Sequence, residues 1–219
     1  MAVAEVVDAA SKPRQRRKEA RPAELLAAAL EVFAEKGFAA TRLEEIAARA
    51  GVSKGTVYLY FESKEALFKA AVEAAMTPAV EAVEAIANDP ARPAAELLRC
   101  FIFGWWDRIG ATSLGAVPKL LVAESANFPE VALWFHETII FRAQRAVARL
   151  IEIGIERGEF RPVDPMLAAR IVFAPIFSIM IWRRAFGHFM PDLPEPRPFL
   201  EAAVTMLTHG LVAPAKDPS

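Results

Sequence analysis

The chain has 219 residues, 54% of them hydrophobic and 24% charged, with a net charge of -1; this suits one sizeable core, or a core plus a small module, with disorder confined to the ends. In the apolar C-terminal half, the uncharged runs 171–182 and 202–215 are 12 and 14 residues, short of the about 20 that cross a bilayer, so no membrane partner is expected. A near-neutral total argues against nucleic acid only if charge is spread evenly, and here residues 1–70 carry a net +2 and residues 71–219 a net -3.

In chain order, residues 1–21 read as a flexible basic arm. Lys12 to Arg21 has six basic residues against Glu19, no hydrophobic periodicity and a proline near either end. A first helix is expected from Pro22, with Leu26, Leu30 and Phe33 inward, closing at Gly37. Thr41-x-x-Glu44 reads as a capping box opening a second helix that turns Leu43, Ile46, Ala47 and Ala50 inward and stops at Gly51. Gly51-Val52-Ser53 then leaves room only for a tight turn, with Ser53 capping a third helix, Lys54 to Tyr60. Two short helices joined this way form a helix-turn-helix. If Val57 and Phe61 anchor the third helix, several of Lys54, Thr56, Tyr58 and Tyr60 face outward, where cationic, hydroxyl and aromatic groups suit DNA phosphates and base edges. Gly55 removes a side chain where backbone approaches DNA closely. Ser63 caps a fourth helix, and Lys64 lies in its first turn, where free amides and a cation together suit a phosphate.

The run TRLEEIAARAGVSKGTVYLYFESKEALF, from Thr41 to Phe68, resembles the DNA-binding domain of the tetracycline-repressor (TetR-like) family. Its specific parts are Ile46-Ala47, then Ala50 to Ser53, then Thr56-Val57-Tyr58-x-Tyr60-Phe61, then Ser63-Lys64-Glu65-x-Leu67. The resemblance spans residues 22–68, and the remainder matches in kind only, as a helical body of the usual length. It implies that Thr41, Tyr58, Tyr60 and Lys64 touch phosphates, that Lys54, Gly55 and Thr56 approach bases beside the capping Ser53, and that the protein reads a near-palindrome in double-stranded DNA as a homodimer.

Downstream, residues 69–213 are expected to form a helical effector-binding and dimerisation domain, followed by a disordered tail, 214–219. The fold class is therefore all-α, with no hairpin signal anywhere. The fourth helix should run from Ser63 to near Asn88, bent at Pro78. Helices are expected over Ala94 to Ile109, around Pro118 to Ser125, from Pro129 to about Arg157, from Pro165 to Gly187 behind an Asp164 cap, and from Pro198 to Leu211. The Pro165 helix is apolar on all sides, so its free side and that of Leu200, Val204, Leu207 and Leu211 are expected to meet their copies in a second subunit. Aromatic residues interleaved with polar ones suggest an apolar cavity near Phe101, Trp105, Trp134, His136 and Phe177 for a small hydrophobic effector that releases the protein from DNA, which is also how the resembling family generally works. An effector-independent DNA binder predicts a solid core there instead, and activation rather than repression is possible on the same scaffold. His136, His188 and His209 lie far apart, and no metal-spaced cluster or phosphate-binding glycine loop occurs, so neither an enzyme, a cofactor nor a metal is expected. The lone Cys100 allows no internal disulfide, and Glu5 and Asp8 are too acidic for a secretory signal, which together point to the cytoplasm.

Overall fold

The computed structural model describes residues 13–87, 89 and 91–212, with residues 13–21 described by their backbone alone. The first part of the expected arm and the expected tail lie outside the described residues. Among the described residues every named element is helical, and one isolated antiparallel bridge joins Phe160 to Val212.

Helix α1 (Pro13–Lys36) starts ahead of the expected Pro22, which lies inside it. Apart from Pro13 at the first helical position, residues 13–21 are Arg, Gln, Lys, Glu and Ala, all good helix formers, so lack of hydrophobic periodicity did not mark a break. Its inward stripe is Leu25, Ala29, Val32 and Phe33, with Leu26 and Leu30 at the edge. Helices α2 (Leu43–Arg49) and α3 (Lys54–Tyr60) follow, and α4 (Lys64–Ala87) runs out of this head into the body, with Pro78 inside it. Head and spine share one aromatic cluster: Phe68 meets Phe33 edge-on at 5.1 Å and Phe38 at 5.3 Å.

The body comprises α5 (Ala94–Trp105), α6 (Val117–Glu124), α7 (Pro129–Phe135), α8 (Phe141–Glu156), α9 (Pro165–Phe186) and α10 (Pro196–Leu211). A π turn, Trp106–Gly110, extends α5, and a second, His136–Ile140, joins α7 to α8, so the single long helix expected from Pro129 is interrupted but not ended. Helix α8 packs on α4, α5 and α9, and the Arg142 guanidinium grips the Glu84 carboxylate at 2.7 and 2.8 Å to tie α8 to the spine. Asp164 caps α9 as expected, its carboxylate accepting the Leu167 amide at 2.7 Å. Gly154 marks a close approach: a Cβ there would run into the Phe160 ring and lie 2.9 Å from the Ala94 Cβ.

By length and composition α9 alone among the described helices could cross a membrane, its single internal Arg170 not breaking the run. The expectation from the uncharged run treated that arginine as an end. Its inner face, Ala169, Val172, Phe173 and Ile176, is buried in the body, as a core helix requires. The outer faces carry Leu167, Ile171, Ala174 and Trp182 on α9, and Ala203, Met206 and Gly210 on α10. Leu200, Val204 and Leu211, expected on that free side, are instead buried inside the chain. Helix α10 uses them to pack on α5 and α9, which moves its open stripe round to Met206.

Candidate nucleic-acid interface

The turn between α2 and α3 forms as its residue types dictate. Gly51 takes φ +65°, a left-handed conformation that a side chain disfavours. The Val52 amide donates to the Ala47 carbonyl at 2.9 Å. Ser53 then caps α3, its hydroxyl accepting the Thr56 amide at 3.2 Å and lying 2.9 Å from the Thr56 hydroxyl, an arrangement that contributes about 1 kcal/mol to a helix too short to persist alone. Val57 is fully buried and fixes the rotation of α3. The outward face consequently carries Lys54, Gly55, Tyr58 (49% exposed), Leu59 (78%) and Tyr60 (38%). Leu59 was not among the sequence candidates, although the same rotation that frees Tyr58 frees it too.

Three expectations change in detail. Thr41 is 2% exposed and its hydroxyl donates to the Gly37 carbonyl at 2.6 Å, so it braces the turn between α1 and α2. The N-cap of α2 is Arg42, one residue later, with the Glu45 carboxylate accepting the Arg42 amide at 3.2 Å. The Thr41–Glu44 capping box is therefore not formed. Arg42 is exposed beside the free amides of α2, and its guanidinium is the cation at that helix start. Lys64 is the third case: its Nζ donates to the carbonyls of Phe38, Ala39 and Thr41 at 2.8, 3.1 and 3.3 Å and sits 4.7 Å from the Phe38 ring centroid. All three of its donors are engaged within the chain, which makes it a latch between α4 and the α1–α2 turn.

Lys54 remains a candidate but is held. Its ammonium lies 2.5 Å from the Glu44 carboxylate and 5.6 Å from the Tyr58 ring. The hydrogen bond from Lys54 holds the Glu44 carboxyl below the usual carboxylate range, and the same bond raises the Lys54 pKa. Glu44 thus orients this cation at the start of α3. On this candidate face the cations are Arg42 and Lys54, Tyr58 and Tyr60 carry hydroxyls, and Leu59 and the Thr56 methyl are apolar groups, the residue types that suit phosphates and base edges. Replacing Tyr58 by Ala is expected to weaken binding to every DNA sequence by about tenfold with the melting temperature unchanged; a gel-shift titration at wild-type affinity would remove Tyr58 from the interface.

The body interior does not bring the five expected effector residues together. Phe101 and Trp105 are buried and close-packed with Phe173 at 4.9 and 5.4 Å. Trp134 lies on α7 under the Lys69 ammonium, 5.8 Å away. His136 is exposed beside Phe141, and Phe177 faces outward on α9. Aromatic count signalled core packing here, because interdigitated rings fill the space that a cavity needs. A polar residue missed by the sequence reading is Gln144 on α8, buried, with its Oε1 lacking a hydrogen-bond partner among the described residues.

Comparison with known proteins agrees with this layout. Residues 25–71 match the family described as bacterial regulatory proteins, tetR family, and residues 106–209 match the C-terminal domain of AefR-like transcriptional repressors. The chain is 41% identical over 196 residues to the HTH-type transcriptional regulator YerO of Bacillus subtilis, covering 89% of this chain and 66% of that one. To the regulator YfiR of the same organism it is 28% identical over 155 residues, covering 68% and 72%. The chain thus spans about two thirds of these relatives' length. Its fold is similar to the crystal structure of FadR from Bacillus subtilis in complex with stearoyl-CoA, with a TM-score of 0.74 and 23% identity over 86% of this chain and 98% of that one.

Proposed function

We propose, since the chain belongs to the tetR family of bacterial regulatory proteins and is a DNA-binding transcriptional regulator, that it acts as a homodimeric repressor of a near-palindromic operator and is released from it by a small, mostly hydrophobic effector. The observation that carries the DNA half is the rotation of α3: Val57 is fixed inward while Lys54, Tyr58, Leu59 and Tyr60 stand clear of the protein. The open apolar stripe on α9 and α10 supports the dimer, since an isologous contact there sets two α3 helices about a twofold axis. In this proposal residues 22–68 form the DNA-reading head and residues 69–213 the dimerising and effector-binding body, working in the cytoplasm. Release by a hydrophobic compound is supported by the similarity in fold to a regulator solved with stearoyl-CoA and by the C-terminal match to repressors.

Selection of bound duplexes from a random DNA pool tests the DNA half. An inverted repeat should be enriched, with its half-sites about one helical turn apart or a multiple of that; enrichment of unrelated sequences contradicts it. Gly55→Ala makes a sharper test, because the nearest atom to a Cβ built there is the Ser53 Oγ at 3.8 Å. The fold accepts the methyl group, and alanine favours a helix by up to about 1 kcal/mol. The variant is expected to melt no lower than wild type and yet to lose operator affinity, whereas unchanged affinity would show that the backbone of α3 does not approach DNA at this point.

The solid packing of Phe101, Trp105 and Phe173 favours a second reading, an effector-independent DNA binder. The two differ in one measurement: ligand-dependent loss of operator binding occurs only in the first.

A further inference from the structure

A cleft of about 910 Å³ lies outside the aromatic core, at the junction of the head and the body. Its walls are the end of α1, the segment from Trp106 to α6, and the C-terminal end of α9. Its volume is in the range typical of small-molecule sites, about 300–1,000 Å³. The lining mixes apolar groups, Trp106, Leu120 and Met180, with the cations Lys119, Arg183 and Arg184.

What distinguishes these cations is the nature of their partners. The Lys119 ammonium donates to the Arg184 carbonyl at 3.1 Å, and the Arg184 guanidinium donates to the Thr112 carbonyl. Neither is paired with a carboxylate among the described residues, and Arg183 meets Glu195 only at 4.0 Å. Of the other two carboxylates on the lining, Glu35 is paired with Arg49 at 2.7 Å, while Glu124 accepts from the neutral Ala39 amide at 3.1 Å and Asn127 at 3.2 Å, so Lys119 and Arg184 stand against one carboxylate without a cationic partner among the described residues. Carbonyls orient these cations without neutralising them. A surplus of positive charge among apolar lining groups is the complement of a molecule with an anionic head and a hydrocarbon body.

The cleft also touches the part of the fold that positions the head. Glu124 lies at the end of α6 and holds the Ala39 amide, in the same α1–α2 turn whose carbonyls are gripped by Lys64. Phe128, just beyond α6, stacks edge-on against Phe38 of that turn at 4.6 Å. A ligand that draws α9 and α6 together moves the support of the head directly.

We infer that the cleft between α1, α6 and α9, rather than the aromatic core, is the effector site, and that its ligand is an amphipathic organic anion bearing a carboxylate or phosphate head. This rests on the effector-released reading, and the test separates the two. Calorimetric titration of the full chain with decanoate, decyl phosphate and decanol, below their aggregation limits, reads binding; fluorescence anisotropy on a duplex selected by the protein reads release. Decanoate or decyl phosphate is expected to bind at least about tenfold more tightly than decanol, and Arg184→Gln and Lys119→Gln each to weaken that binding about tenfold, with Arg184→Lys recovering part of it. The comparison of the two acids decides which head group is preferred. Decanol binding as tightly as either acid, no binding by either, or anion binding that both glutamine variants leave intact overturns the site. Binding that depends on Arg184 while operator affinity stays constant upholds the site and overturns the release reading alone; release by decanol without binding by either anion overturns the site alone.

Discussion

Replacing Ile171 by Arg is expected to convert a dimer into monomers and to weaken operator binding by about a hundredfold or more. The side chain is 52% exposed in the single chain, so a guanidinium there meets water and the fold of the monomer is undisturbed. In the proposed dimer the same position faces its copy across the twofold axis, beside Leu167 and Met206, and two like charges would be buried together without partners. The penalty on DNA follows from linkage rather than from any lost contact. Two heads joined in one dimer gain about 10² to 10⁴ over a single head, and each head here offers only a few contacts. Light scattering behind size exclusion and anisotropy on the selected duplex read both effects. A dimer that survives Ile171→Arg would place the subunit contact on a different face.

Phe38→Ala is expected to destabilise the protein by about 3–5 kcal/mol, lowering its melting temperature by roughly 10 °C for a chain of this size. Phe38 is 2% exposed and is the ring shared by head and body. It stacks with Phe33 at 5.5 Å, meets Phe68 and Phe128 edge-on, and forms the face beneath the Lys64 ammonium. Its removal leaves a cavity that rigid helix ends cannot close, and it loosens the carbonyls that Lys64 holds. Operator affinity should fall with stability, because the turn that supports α2 is no longer fixed. A melting temperature within a few degrees of wild type would mean that the head is held to the body by other contacts.

The helix-turn-helix was legible because its determinants are local. Gly51 needs a left-handed turn, Ser53 needs a following amide, and Val57 and Phe61 fix one face of a short helix; each follows from a residue and its neighbours within a few positions. The partners of Thr41 and Lys64 were not legible, for different reasons. Thr41 turns in to a carbonyl four residues back, and Lys64 reaches carbonyls of the Phe38–Thr41 turn that only the packing of α1 against α4 brings near. Arg42 was hidden by the same shift, since a one-residue move of the helix start exchanges which side chain faces out. In the body, the all-round apolar character of α9 pointed to burial on all sides, whereas the chain itself buries one face, Ala169, Val172, Phe173 and Ile176, and period alone did not say which face of α10 remained open. The aromatic residues misled for a physical reason: rings supply the apolar surface that either lines a cavity or fills it, and Phe101, Trp105 and Phe173 fill it. The cationic cleft had no sequence signature, because Lys119 and Arg184 are far apart in the chain and their significance lies in the carboxylates they do not meet.

Whether two copies of α3 read DNA together is settled by titrating the selected palindrome beside a duplex that carries a single half-site. Two chains are expected on the palindrome, with an affinity at least about a hundredfold higher than for the half-site. Equal affinity for the two duplexes, with one chain bound to each, would contradict it.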